Sequence, residues 1–346
     1  MPVVSTGTGA GQAGQPSESV KNEVVMLWIP SLLFVVGIVL LYLGAEMLVR
    51  GSSTLAIRFG IRPMIVGLTI VAMGTSAPEL AVSLIAALRE TKDIALGNII
   101  GSNIANLALV VGVAALIRPL EIQVSTVRRE MPFLILATAL FYIMSVDGTL
   151  GHVDGAILLL LFIGFILYMI RSAQKDRLGA KHFQAGLSTA EEKKQRNWLS
   201  IALTIIGLAV LVGASSLIVR SATTIALALG ISELVIGVTM VAVGTSLPEL
   251  AISTVSVAKG EVDIAVGNAV GSNIFNTLMV IAIIALLFPI QVDKPLLTFH
   301  FPFQMILTII FLPLIRTGFK IQRWEGGVLV GSYVLFIYLL LVMDFI

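Results

Sequence analysis

The sequence predicts an all-α integral membrane protein, with ten transmembrane helices arranged as two inverted five-helix repeats. Three observations predict it. The chain is 57% hydrophobic and only 12% charged over 346 residues, with a mean hydropathy of +1.02, whereas a soluble domain averages about 25% charged residues. Ten apolar runs are separated by polar connections, of which only the one between the fifth and sixth runs is long, and a run of about 20 residues suffices to cross a bilayer. The two halves align without a gap at an offset of 170 residues, and from 64–110 against 234–280 roughly half the positions are identical.

Residues 1–23 read as a disordered polar tail, rich in Gly, Ser, Thr and Gln and without an apolar run. The tail lacks the basic start, apolar middle and small-residue cleavage site of a signal peptide. It holds Gly9-Ala10-Gly11-Gln12-Ala13-Gly14, a formal dinucleotide fingerprint. With no predicted strand before it and no predicted helix after it, this stretch reads as linker, and no nucleotide or nucleic-acid partner is expected. Cys is absent, which excludes disulfides and thiolate metal sites.

The first repeat spans 24–171. Its apolar runs fall at 24–49, 62–88, 94–117, 131–146 and 153–171. Glu46 lies in the first run and reads as a helix-interface acid near the cytoplasmic end; its repeat mate is Ser216, so the repeat does not reinforce it. Asp147 and Asp154 fall in a connection. A basic connection, 172–196, follows. The second repeat spans 197–346, with runs at 197–222, 232–258, 264–288, 299–316 and 326–345. Trp28, Trp198 and Trp324 stand near span starts and read as interfacial anchors. His152, His182 and His300 are scattered.

Orientation follows from Lys and Arg, which concentrate in cytoplasmic loops. With both termini outside, 17 of the 22 Lys and Arg lie in inside loops, and only Lys21, Arg89, Lys92, Arg220 and Lys294 face out. The 172–196 loop is then cytoplasmic, and the chain resides in the cell's inner or plasma membrane. Each repeat holds an odd number of spans, so the copies enter the membrane with opposite polarity. Such repeats recur among secondary transporters, with the site at the midplane between them.

The chemistry sits in two paired motifs. Gly74-Thr75-Ser76-Ala77-Pro78-Glu79 returns as Gly244-Thr245-Ser246-Leu247-Pro248-Glu249, and Gly-Ser-Asn-Ile-x-Asn occurs at 101–106 and 271–276. A carboxylate in mid-membrane costs roughly 2.5–3.5 kcal/mol on insertion scales, so two at matched positions point to a bound cation. Each Glu follows a Pro, which has no N–H and leaves backbone carbonyls free beside the acid. Ala72, Thr75, Ser76 and Glu79 lie at i, i+3, i+4 and i+7 and share one helix face. Ser102 and Asn106 share a face of the next span. The second repeat supplies Ala242, Thr245, Ser246, Glu249, Ser272 and Asn276. Together these make an oxygen cage suited to Ca²⁺, Na⁺ or similar hard ions rather than Zn²⁺ or Cu⁺.

Less specific polar residues have plainer readings. Thr69, Ser83 and Ser253 suit backbone or interhelical hydrogen bonds. Gly97, Gly101, Gly267 and Gly271 suit close helix packing. Asn98, Asn103, Asn268 and Asn273 suit stitching of broken helices, and Asp93 and Asp263 suit helix N-termini.

Carrying these motifs, the chain from about residue 27 onward resembles the cation/calcium exchanger superfamily, which includes the sodium/calcium exchangers, and within it the short prokaryotic branch. The resemblance implies that Glu79 and Glu249 are the central acids shared by calcium and sodium sites. It implies calcium ligation by the carbonyls of Thr75 and Thr245. The carbonyls of Ala72 and Ala242, with Ser76, Ser246, Ser102 and Ser272, are similar to the flanking sodium sites, and Asn106 matches the mid-site Asn. Asn276 departs from the pattern, since sodium-coupled relatives often carry Asp there.

The resulting expectation is a secondary antiporter that exchanges Ca²⁺ for Na⁺, with no cofactor and no partner beyond these ions and the lipid bilayer. Both halves lie in one chain, so a monomer suffices. Exchange of Ca²⁺ for H⁺ is the near alternative, because two facing carboxyls can carry protons. A cation channel is disfavoured by the inverted repeat. An intramembrane hydrolase lacks a Ser-His pair, an HExxH sequence or a catalytic Asp motif, so the chain is not expected to be an enzyme.

Overall fold

The computed structural model describes residues 18–89, 92–124, 126–184, 197–229, 244–316 and 318–344. In chain order its helices are α1 (Glu18–Phe59), α2 (Pro63–Val66), α3 (Ala72–Thr75), α4 (Ala77–Leu88), α5 (Lys92–Ala105), α6 (Val111–Ile117), α7 (Met131–Ser145), α8 (His152–Gln184), α9 (Asn197–Ala228), α10 (Leu247–Ala258), α11 (Val262–Phe275), α12 (Ile281–Leu287), α13 (Phe301–Arg316) and α14 (Arg323–Asp344). Wide π-type turns fill Gly67–Val71, Asn106–Val110, Thr126–Glu130, Asn276–Val280 and Leu296–His300. Seven helical segments among the described residues are long and apolar enough to cross a membrane. An eighth is the broken helix Pro63–Thr75 plus Ala77–Leu88, bent by 40°. The protein is therefore an all-α, multi-pass membrane protein.

Several boundaries differ from the sequence expectation. The first helix begins at Glu18, inside the stretch read as a tail, and continues past residue 49 to Phe59. Beyond residue 49 it persists because no Pro intervenes until Pro63, and it tolerates Pro30 within its span. It stops where Gly60 takes φ +62 and Ile61 N–H bonds back to Ala56 O at 3.0 Å, a glycine cap closing the last turn. The Gly9–Gly14 stretch lies outside the described residues. Helix α8 runs on to Gln184, so the first part of the expected 172–196 loop is helical; residues 185–196 lie outside the described set. Of the run at 232–258, residues 232–243 lie outside the described set, and a helix fills Leu247–Ala258 after the break at Ser246.

Two four-residue ribbons tie the halves together. Leu120–Glu121 (β1) pairs antiparallel with Lys320–Ile321 (β4), and Thr149–Leu150 (β2) with Ile290–Gln291 (β3). The 170-residue offset carries β1 onto β3 and brings β2 to within one residue of β4, so each ribbon joins one strand of either half and exchange of the halves interchanges the ribbons.

The helices sort by burial. The continuous segments Ile94–Ile117 and Val262–Leu287 are 83% and 78% buried over their apolar windows, against 28–33% for the other five spans. They form the centre, and the apolar outer faces of α1, α8, α9, α13 and α14 suit lipid. Trp198 and Trp324 near the starts of α9 and α14, and Trp28 near the start of the apolar span Leu27–Phe59 within α1, are all more than half exposed, in keeping with interfacial anchoring. Helices α1 and α9 pack closely, because Gly44 and Gly207 let the backbones meet. A Cβ on Gly207 would lie 2.6 Å from Leu48 N, and one on Gly44 2.9 Å from Leu211 N.

Candidate functional site

The two Glu-bearing helices start the same way. Helical continuity breaks at Ser76 (φ −81, ψ 5) and at Ser246 (φ −87, ψ 3), one residue before α4 and α10. Pro78 and Pro248 sit in the first turn, where a missing N–H is tolerated. The break thus falls at the Ser that precedes Ala77 or Leu247, and the Pro makes it permanent by withholding a donor from the carbonyl four residues upstream, Gly74 or Gly244. Glu79 and Glu249 come next, in the first turn of their helices, where the N-terminal dipole favours a carboxylate. Both are fully buried.

Each carboxylate meets one hydroxyl from its own half and one from the opposite half. Ser76 Oγ donates to Glu249 Oε1 (3.3 Å), as does Ser272 Oγ (3.4 Å). The Ser102 and Thr245 hydroxyls stand beside Glu79 and lie 3.2 Å from each other. Neither Glu79 oxygen, nor Glu249 Oε2, makes a hydrogen bond, although all are sealed from solvent. A buried acceptor left without a donor costs free energy. Three at one place are what a cation-binding chamber requires, because oxygens engaged with donors have fewer lone pairs for an ion.

A second layer fixes the frame, and it is the same on both sides. Asn98 Nδ2 donates to the backbone oxygen of Glu79 (3.5 Å), and its Oδ1 accepts from Thr245 Oγ1 (3.3 Å). Asn268 Nδ2 donates to the backbone oxygen of Glu249 (3.5 Å), and its Oδ1 accepts from Thr75 Oγ1 (3.0 Å). Each Asn clamps the helix break of its own half to the Thr of the other. Ser83 and Ser253 bond to the carbonyls of Ala95 and Ala265 at 3.3 and 3.4 Å, holding α4 to α5 and α10 to α11. The stitching role read for these Asn and Ser residues is the one observed.

Deeper in the centre, Asn106 Nδ2 donates to Asn273 Oδ1 (3.0 Å), Asn273 Nδ2 to Asn103 O (2.9 Å), and Asn103 Nδ2 to Thr277 Oγ1 (3.1 Å). Asn106 and Asn276 open matching π-type turns, which widen the helix locally and re-aim a side chain. Asn106 Oδ1, both polar ends of Asn276 and Ser246 Oγ are buried without a hydrogen bond. The Ala72 carbonyl already accepts from Ser76 N–H (3.0 Å) and Thr75 Oγ1 (3.3 Å). Ala242 lies outside the described residues.

Close backbone approach brings the halves together. A Cβ on Gly267 would lie 2.7 Å from Met64 O, and one on Gly271 2.7 Å from Leu68 O, so the packing role read for these two holds. Gly97 departs from it, since a Cβ there would meet nothing within 4 Å.

Other polar residues fall outside the chamber. Asp263 sits in the first turn of α11 and accepts from Gln123, and Asp147 and Asp154 cap backbone N–H groups at 3.0 and 2.8 Å. The side chains of Asp93 and His182 lie outside what is described. Sequence reasoning passed over Gln304, fully buried in α13 with neither end of its carboxamide bonded. A lone carboxamide inside the apolar run 299–316 was the available signal.

Fold and site together define a membrane carrier of hard cations. The profile described as sodium/calcium exchanger protein matches residues 29–171 and 199–342. The chain belongs to this family. It is 40% identical to a putative antiporter, CaxA, of Alkalimonas amylolytica, over 90% of this chain and 98% of that protein. It is 32% identical to the sodium/calcium exchanger MaX1 of Methanosarcina acetivorans, over 91% and 99%. Among solved structures it is similar to the sodium-calcium exchanger NCX_Mj soaked with Na⁺ and Sr²⁺, with a TM-score of 0.77 and 31% identity, covering 89% of this chain and 97% of that one.

Proposed function

We propose that the protein is a secondary antiporter that exchanges Ca²⁺ for Na⁺ by alternating access, with Glu79 and Glu249 carrying the charge of one shared site. The observation that carries this reading is the reciprocity of the chamber. Each buried acid lies beside hydroxyls of the other half, Ser76 at Glu249 and Thr245 at Glu79, with three carboxylate oxygens left open. The remaining ligands of the reading are the carbonyls of Thr75, Thr245, Ala72 and Ala242, the hydroxyls of Ser246, Ser102 and Ser272, and the amides of Asn106 and Asn276.

Ten membrane crossings as two inverted five-helix repeats complete the reading. Supporting it are the 170-residue offset, the paired Asn clamps and the two ribbons that exchange under that offset. Both termini then lie outside and the 172–196 connection lies in the cytoplasm, in a cell membrane. The domains are the tail 1–23, the repeats 24–171 and 197–346, and the connection between them.

The coupling follows from charge. An empty pair of ionised carboxylates in the low-dielectric centre is costly, so the protein changes facing state only when the pair is neutralised. One Ca²⁺ does this, and so do two monovalent cations; three Na⁺ leave an excess positive charge that Asn276 cannot offset. The exchange is therefore electroneutral, one Ca²⁺ against two Na⁺. The test is Ca²⁺ uptake into proteoliposomes under a Na⁺ gradient alone or a pH gradient alone, with current recorded under voltage clamp. Uptake on the Na⁺ gradient with no net current is expected. Uptake on the pH gradient alone would transfer the coupling to H⁺, and a robust current would refute the two-charge stoichiometry.

A further inference from the structure

Away from the chamber, α1 is tied to the loop between α10 and α11 by a cluster of charges. Glu46 Oε1 accepts from Lys259 Nζ at 2.8 Å and from Arg50 Nη2 at 2.5 Å. Ser53 Oγ donates to Glu261 Oε1 at 2.6 Å. Lys259 and Glu261 flank Gly260, whose φ of +83 makes the tight turn that presents both side chains to one helix. Val49, Arg50, Ser53, Lys259 and Glu261 all line one crevice, yet Val49 itself is only 1% exposed.

The repeat lacks the counterpart. At the 170-residue offset, Arg50 maps onto Arg220 and Lys259 onto Arg89, but Glu46 maps onto Ser216 and Glu261 onto Thr91. The cations are kept, the mapped positions of both acids are uncharged, and Glu90, which aligns with Gly260, lies outside the described residues. On that side a cavity of about 230 Å³ runs from exposed Ser216 and Arg220 past Val219 to buried Thr245 beside Glu79. Val219 is the repeat mate of Val49 and is partly exposed where Val49 is buried. One mouth is thus bridged by charge pairs centred on Glu46, and among the described residues no such pair bridges the equivalent mouth.

We propose that Glu46, Arg50, Ser53, Lys259 and Glu261 form a one-sided latch that holds α1 against the centre and keeps the Lys259 mouth of the ion site shut. The inference rests on the alternating-access reading and adds to it a built-in bias. Two otherwise equivalent facing states are made unequal by Glu46, the hub of the cluster, whose repeat mate Ser216 carries no charge. Partly exposed ion pairs are individually weak, so the latch tilts the equilibrium rather than freezing it, as a carrier that must cycle requires.

The chain has no Cys, so single cysteines report access without background. The test uses full-length protein in lipid nanodiscs, open to reagent from both faces, in buffer free of Na⁺ and Ca²⁺. It measures the rate of maleimide labelling at Val49→Cys and, separately, at Val219→Cys. Adding Glu46→Gln is expected to raise labelling at Val49→Cys roughly three- to fivefold and to lower it at Val219→Cys. Lys259→Gln should act in the same direction from the other element, which guards against local damage to α1. Ser216→Glu, which supplies the missing acid beside Arg220, should slow labelling at Val219→Cys. Unchanged Val49→Cys labelling in both the Glu46→Gln and Lys259→Gln backgrounds would overturn the latch, as would equal acceleration at both mouths. The readout needs no transport, so these shifts without Ca²⁺ exchange would sink the antiport reading and leave the latch standing.

Discussion

In the proposed exchange the chemistry turns on Glu79 and Glu249, which were also the most legible residues. An acid after a Pro inside an apolar run, repeated at a fixed offset, has few readings other than a cation site. Their second layer was harder to see. That Asn98 and Asn268 each hold one half's helix break and the other half's Thr depends on how helices cross, which spacing along one helix does not encode. Thr75→Val removes the hydroxyl bonded to Asn268 at 3.0 Å and leaves a buried carboxamide oxygen short of a donor. A cost of about 1–3 kcal/mol is expected, seen as a Ca²⁺ affinity weakened by roughly tenfold or more in calorimetric titration, with Thr245→Val behaving alike. Asn276→Asp adds a third buried acid and should convert the neutral exchange into one that carries current under voltage clamp; silence there would mean that Asn276 does not face the ions.

Among the elements, the broken helix shows how far sequence patterns reach. Pro78 announces a discontinuity, but the turn falls at Ser76, because a Pro is comfortable in the first turn of the helix it starts. The π-type turns at Asn106–Val110 and Asn276–Val280 leave no signature in apolar periodicity, so only the Asn residues that open them were legible. The extension of α1 to Phe59 was missed because the apolar run ends near Arg50, while the helix ends where Gly60 supplies the left-handed cap. Glycine packing between the halves is the element-scale property most open to test. Gly271→Val would place atoms against the Leu68 backbone, where even a Cβ comes within 2.7 Å. Overpacking of this kind costs about 1–3 kcal/mol, so a lowered unfolding temperature of the purified protein is expected, with Gly97→Ala as a control that shifts it far less.

At the scale of the whole molecule, the repeat organised the reading from the start, since one offset relates the acids, the Asn clamps and the two ribbons. The departures from the repeat were legible as isolated mismatches, Ser216 opposite Glu46 being the first, but their joint meaning was not. Glu46, Lys259 and Glu261 belong to segments far apart in sequence and meet only because α1 lies along the turn at Gly260. The account makes the two acids of the chamber a single charge unit, so neither should function without the other. The most direct measurement is Ca²⁺ uptake into proteoliposomes under an outward Na⁺ gradient, comparing the natural chain with Glu79→Gln and with Glu249→Gln, each folded as judged by its elution profile. Each substitution alone is predicted to abolish uptake, and full uptake by either variant would contradict the account.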